Sequence, residues 1–344
     1  MKHSEIVRIL YKGILGREPD PGGLFHHCDL LERGATMESV ATSIDASSEA
    51  QQYRQRSSWQ DRMRIAASHL SKRLGNPLVI LDIGAQELEF ESHCYQVLID
   101  QNLVQTIIGF DPIEEKARDR NAKEPIADIR PVALGTGKQE TLYVNNYDAT
   151  SSLYPINEGI MGATEDLYRY HTVRKTSLPT TRLDGVITPD RIDFMKLDIQ
   201  GYELRVLEHA VETLKKTLCV HVETEFQQIY QDQPLFGEIF NFLVSQGFTF
   251  CELTKPVRLS SRQFRERFPH IPASRLFWGD AVFLRSEVEA PNDRLRQALI
   301  TNLVYEWPDE TYDLLRKYDT WTGEEAAIEY ADTLSSPDER EHDT

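Results

Sequence analysis

Two kinds of hydrophobic spacing divide this chain. Early on, apolar residues recur at helical intervals, with Ile6, Ile9, Leu10, Ile14 and Leu15 in phase. Leu15 to Gly23 is dense in Gly and Pro and reads as a turn. A second helix is predicted from Leu24 to about Arg33, capped by Asp20, and a third after Thr36, with Glu38 near its N-terminus. Residues 57–75 read as another helix, closed by Gly75-Asn76-Pro77. From Leu78 the pattern changes to short, continuous apolar runs: Leu78–Ile83, Thr106–Asp111, Asp128–Val132, Ile192–Leu197, Leu218–Glu223, Thr249–Leu253 and Ala281–Leu284. Runs of this kind suit strands buried on both faces. Helical stretches lie between them, at Glu91–Asp100, Glu203–Lys216 and Leu235–Gln246. The alternation predicts an α/β domain with a doubly wound, mostly parallel seven-stranded sheet, behind a small all-helical N-terminal domain. The expected boundaries are 1–56 for the helical domain, 57–76 for a helical linker, 77–286 for the sheet domain and 287–344 for an acidic helical extension with a polar, unstructured end from Ser335.

Composition narrows the function classes. No run of 18 or more apolar residues occurs, so no membrane span is expected. The start, Met1-Lys2-His3-Ser4, has no apolar signal core, which points to a cytoplasmic protein. Cys28, Cys94, Cys219 and Cys251 are scattered, which argues against a zinc site or a disulfide framework. The net charge is -17, with sixteen acids against five Lys/Arg in residues 286–344 alone. An acidic chain without a basic stripe is a poor match for nucleic acid.

Candidate chemistry sits at the strand ends. The first strand closes in Asp82-Ile83-Gly84-Ala85 and the second in Asp111. In doubly wound sheets, ligands bind beyond the carboxyl ends of strands, where an acid can bond both hydroxyls of a ribose. Asp111 also precedes Pro112, so it suits a helix N-cap equally well. Lys196 and Asp198 alternate along a strand and would face one side, either as site residues or as a buried ion pair. His221, Glu223 and Glu225 end a further strand, and together with Asp198 and His171 they are the candidates for a general base. The polar stretch 157–179 is too long for an ordinary connector and reads as a lid or acceptor loop. A nicotinamide site would need G-x-G-x-x-G after the first strand, and Gly84-Ala85-Gln86-Glu87-Leu88-Glu89 lacks it.

Five ordered blocks now carry a family resemblance. Lys196, Asp198, Gly201, Glu203 and Leu207 match a K-x-D-x-E-G…E-x-x-x-L signature. Thr181-Arg182-Leu183-Asp184, Val132-Ala133-Leu134-Gly135 with Leu142-Tyr143, Ser151-Ser152-Leu153 and the Asp82 segment supply the rest. Together they resemble the FkbM methyltransferases, a Rossmann-like class I family. The resemblance implies methyl transfer from S-adenosylmethionine to a hydroxyl of a sugar, glycan or secondary metabolite. It also implies cofactor contacts from Asp82, Gly84, Ala85, Asp111, Ala133, Leu134 and Asp198. Catalytic roles are expected of Asp198, His221 and Glu223, with no metal. Two positions depart from the pattern: Leu88 replaces a second glycine, and Gln200 replaces the usual Glu. They keep open an alternative, a degenerate cofactor-binding or scaffold module. The N-terminal residues Leu15-Gly16-Arg17, Pro19-Asp20, Gly23, Gly34 and Ser48-Glu49 are similar to a small domain of unknown function related to phycobilisome-linker repeats. That likeness implies a fold, not a chemistry; a separate reading makes this domain an assembly or docking module.

Overall fold

The computed structural model describes residues 2–87, 92–186 and 189–335. Leu88, the start of the helix expected from Glu91, and the chain beyond Ser335 lie outside the described residues. The chain divides into two compact units, one reaching to His69 and taking in residues from Ile328, the other spanning Leu70–Ala327.

In the first unit, α1 (His3–Leu15), α2 (Pro21–Glu32) and α3 (Met37–Asp45) close around Val7, Tyr11, Leu15, Leu31, Val40 and Ile44. The buried stripe of α1 is thus shifted by one residue from the expected one, and Ile9 stays exposed. Asp20 caps α2 as expected, its Oδ1 accepting the Gly23 amide at 2.9 Å, and Pro21 starts the helix earlier than the periodicity suggested. Thr36 caps α3 in the same way. The helix expected over 57–75 is α4 (Ser48–Ser71), which begins well before that range.

The second unit is built on the strands β1 (Leu78–Ile83), β2 (Val104–Phe110), β3 (Ala127–Arg130), β4 (Ala133–Leu134), β5 (Gln139–Asn145), β6 (Thr172–Thr181), β7 (Ile192–Leu197), β8 (Thr217–Glu225), β9 (Phe248–Leu259) and β10 (Arg275–Arg285). Seven of them form one sheet in the order β3-β2-β1-β7-β8-β10-β9. Neighbours from β3 to β8 pair in parallel, and β10 is antiparallel to both β8 and β9. The seven-stranded, mostly parallel sheet is the one the apolar runs predict. Its order reverses between β1 and β7, which places a crevice at their carboxyl ends.

The intervening helices are α5 (Gln96–Asp100), α6 (Glu114–Lys123), α7 (Glu158–Ala163), α8 (Glu203–Leu207), α9 (Val211–Lys215), α10 (Phe236–Ser245) and α11 (Arg262–Arg267). Several differ from the expected elements. The helix over 203–216 is broken into α8 and α9. The polar stretch 157–179 is no loop: it supplies α7 and most of β6, which pairs with β5 in a small second sheet ordered β4-β6-β5. β9 and β10 run well past their apolar runs, because their outer portions leave one face to solvent and alternate with polar residues. α12 (Pro291–Leu303) and α13 (Pro308–Thr322) lie in the compact unit of the sheet, and α12 packs on β7 and β8 with Leu295, Leu299 and Ile300 fully buried. α14 (Ala326–Leu334) is the last described helix. Among the described residues no helix is long and apolar enough to cross a membrane.

Candidate functional site

Register sets the site. Asp82 of β1 lies opposite Lys196 of β7, and Lys196 lies opposite His221 of β8. The residues just beyond, Gly84, Asp198 and Glu223, therefore reach one sheet edge. A cavity of about 920 Å³ opens there, within the usual size of a ligand site. Gly84, Asp111, Ala133, Leu134, Asp198, His221 and Glu223 all line it, with Ile113, Tyr230 and Trp278 among its walls.

Two expected cofactor contacts do not line it. Asp82 and Ala85 are buried beneath the turn that follows β1. Asp82 Oδ2 accepts from Arg120 Nη1 at 2.7 Å and from the Tyr95 hydroxyl. The same Nη1 donates to the Ala85 carbonyl at 2.9 Å. Lys196 Nζ donates to the Gly84 carbonyl at 2.9 Å, and lies 3.7 Å from Asp82 Oδ1 and 3.4 Å from Asp198 Oδ2. Burial alone would raise the Asp82 carboxyl, but Lys196 and Arg120 outweigh it and hold the group below the ordinary carboxylate range. Asp82 is thus the ionised anchor of the turn. The sequence could not show this, because Arg120 comes from the middle of polar α6.

Gly84 lines the cavity and also has a backbone reason to be glycine. Its φ is +79°, and a Cβ there would stand 1.9 Å from the Asp198 carbonyl oxygen. The close approach that demands glycine is therefore to the backbone after β7. The amides of Gly84 and Ala85 both donate to the Phe110 carbonyl, at 3.0 and 3.2 Å.

Asp111 follows β2, nearly buried, with Oδ1 accepting the Ile113 amide at 2.8 Å. Burial pushes its carboxyl up, opposed by that amide. Asp111 therefore makes a short local turn while lining the cavity, and it is not the cap of α6: that helix begins only at Glu114, with Ile113 at its N-cap. Ala133 and Leu134 form β4 and bring apolar surface to the same cavity.

The richest chemistry lies past β7 and β8. Gln200 Nε2 donates to Asp198 Oδ1 and to Glu223 Oε2, both at 2.9 Å. Burial would raise Asp198, but Lys196, Glu223 and Gln200 hold it low. Glu223 is pushed well above the usual range by burial and by the neighbouring Asp198. Glu225 is driven up by burial and by Glu203. Glu203 is fully buried and pushed up to about 7, burial being the main cause. Its Oε1 accepts the amides of Ile199 and Gly201 at 2.7 and 3.2 Å. The two neighbouring carboxyls are thus pushed in opposite directions, Asp198 towards its charged form and Glu223 towards its neutral one.

His221 lines the cavity with both ring nitrogens engaged: Nδ1 is 3.0 Å from the Tyr305 hydroxyl and Nε2 is 3.2 Å from Asp280 Oδ2. His171 is exposed and does not line the cavity. Tyr170 does, stacked on Tyr147 at 5.9 Å. Sequence reasoning missed Tyr95, Arg120, Tyr230 and Tyr305, which come from distant elements and carry no local signal. Among the described residues, no group of three or more His, Cys, Asp or Glu is arranged to hold a metal ion.

Comparison with known proteins identifies the domain. Residues 82–250 match the model of the methyltransferase FkbM domain, and residues 1–53 match a domain of unknown function, DUF4214. No curated protein matches the chain. Similar solved structures include an S-adenosylmethionine-dependent methyltransferase from Mesorhizobium loti, 11% identical over 63% of this chain and 96% of that one, with a TM-score of 0.34. The plantazolicin methyltransferase BpumL is 8% identical, with 83% and 96% covered and a TM-score of 0.32. The 23S rRNA methyltransferase ErmE is 10% identical, with 69% and 75% covered and a TM-score of 0.29. The blocks around Asp82, Ala133, Ser151, Thr181 and Lys196 fall inside the region that is similar to the methyltransferase FkbM domain, and the N-terminal helices fall inside the region similar to DUF4214.

Proposed function

We propose that this domain transfers a methyl group from S-adenosylmethionine to a hydroxyl oxygen of a small-molecule or glycan acceptor. The cavity's chemistry fits the cofactor. Asp111 offers a nearly buried carboxylate at the end of β2, suited to two ribose hydroxyls. Ile113, Ala133 and Leu134 offer apolar surface in the same cavity for a base. Bound there, the cofactor supplies an electrophilic methyl carbon. The chain's own residues do the rest.

The observation that carries the reading is the placement of Asp198 in the cavity wall, 3.4 Å from Lys196 Nζ and joined to Glu223 through Gln200. A hydroxyl acceptor gives up its proton as its oxygen forms the new C–O bond. The bound cofactor would supply the methyl group and would leave as a neutral thioether, keeping the electron pair of its C–S bond. Asp198 is the group that takes the proton, and Glu223 keeps the developing pair hydrogen-bonded. Such general-base help is worth about 10²–10⁴-fold, on top of the gain from positioning. His221 holds the Tyr305 hydroxyl and Asp280 through its two ring nitrogens.

The test is methyl transfer by purified protein to an acceptor panel, read by product mass, beside calorimetry with S-adenosylmethionine. Asp198→Asn should lower turnover by about 10²–10⁴-fold while cofactor binding and melting temperature hold. Equal loss of folding and turnover would make Asp198 a structural ion-pair member only. Failure of the wild-type protein to bind the cofactor would overturn the assignment.

A further inference from the structure

Gln200 stands where the resembled signature has Glu, and its geometry gives that exchange a meaning. Its backbone has φ +58°, unusual for a residue with a side chain, and neighbours hold it there. Ser152 Oγ donates to its carbonyl at 2.6 Å. The Tyr230 hydroxyl lies 3.1 Å from its Oε1 and 2.8 Å from the Thr150 carbonyl, so one proton is shared between the two. With Oε1 facing a donor, Nε2 has to face the carboxyls, and its two hydrogens go one each to Asp198 and Glu223. Rotating the amide by half a turn would set its oxygen against two carboxyl groups and lose the bonds it donates to them.

We infer that Gln200 is a positioning residue whose amide takes the place of a divalent cation, bridging Asp198 and Glu223 so that the acceptor's proton is taken without a metal. The inference rests on the proposed role of Asp198. An –NH2 group presents hydrogens, not lone pairs, to the point between the two carboxyls, which is the point a metal ion would need. A Glu at the same place would bring a third carboxylate to that point. Three carboxylates within hydrogen-bond reach of one another are a hard-oxygen set suited to Mg²⁺ or Mn²⁺. The amide thus decides between two ways of satisfying the same pair.

The experiment uses the full chain and two variants, Gln200→Glu and Gln200→Met, with MnCl2 or EDTA as the probe. Melting is followed between about pH 6.5 and 8.5. The wild type should melt alike in both. Gln200→Glu should melt lower in EDTA and recover in Mn²⁺, with one Mn²⁺ bound per chain by calorimetry. A wild type that binds Mn²⁺ at this pair, or a Gln200→Glu protein that ignores it at every pH, overturns the inference. Gln200→Met keeps the bulk and removes both donors. It should shift the acid limb of the kcat profile to higher pH while the KM for S-adenosylmethionine stays within about twofold, because Asp198 loses a hydrogen bond to its charged form. An unmoved acid limb, or one that moves only together with KM, also overturns it. The metal titrations need no turnover, so they stand even if the methyl-transfer reading fails.

Discussion

Arg120 Nη1 lies 2.7 Å from Asp82 Oδ2, and both side chains are shut away from solvent. The pair joins α6 to the end of β1, and through the Ala85 carbonyl it also ties the turn that forms the cavity's edge. A buried pair adds little compared with an apolar replacement, but removing one partner strands the other charge. Arg120→Met should therefore destabilise the protein by about 3–5 kcal/mol in urea unfolding. The double change Asp82→Asn with Arg120→Met should recover much of that loss. If Arg120→Met alone costs less than about 1 kcal/mol, Lys196 suffices for Asp82 and the anchoring role is wrong.

That pair also marks the limit of what the chain discloses by itself. The β1, β2, β7 and β8 runs were legible because parallel strands buried on both faces leave continuous apolar stretches. Asp111 and Asp198 could be placed beside the crevice because their strands end there, though each kept a structural reading until its neighbours were known. Arg120 and Tyr95 were not, since nothing along the sequence links them to Asp82. The outer halves of β9 and β10 were missed for the converse reason: a strand with one face in solvent alternates and looks like loop. Gln200 was visible only as a departure from a pattern, and its meaning needed the coordinates of Tyr230 and Ser152.

Asp111 carries the second prediction. Its carboxylate is nearly buried and spends one oxygen on the Ile113 amide. If it also bonds the ribose, Asp111→Ala should weaken S-adenosylmethionine binding by about ten- to a hundredfold. Calorimetry reads this directly, and an unchanged dissociation constant would reduce Asp111 to a turn residue.

Gly84 carries the third. An added methyl would meet the Asp198 carbonyl at 1.9 Å, in a backbone conformation that side chains avoid. Neither the strand pairing nor the φ can relax cheaply, so Gly84→Ala should cost roughly 2–5 kcal/mol. Because the strained atoms include the Asp198 backbone, cofactor binding should fall with it. A variant that melts like the wild type would show that the two strand ends part more easily than their packing implies.

Glu203 gives a prediction in pH. Its carboxyl is fully buried and pushed up to about 7, mainly by burial, with the amides of Ile199 and Gly201 opposing. In the unfolded chain the same group ionises near the ordinary value of about 4.3. The native state therefore binds the extra proton between those two values. Its stabilising contribution is full below the unfolded pKa, and it is lost as pH rises through about 7. Glu203→Gln keeps an oxygen for both amides and cannot ionise. Over the window from about pH 5 to pH 7 the stability difference between wild type and Glu203→Gln should swing against the wild type, with a slope approaching about 1.4 kcal/mol per pH unit, and level off above it. Comparing the two proteins cancels the opposite trend from low-lying carboxylates such as Asp82 and Asp198. Urea unfolding at a series of pH values measures the difference, and a gap that stays constant from pH 5 to pH 8 would mean that Glu203 is already ionised in the folded chain.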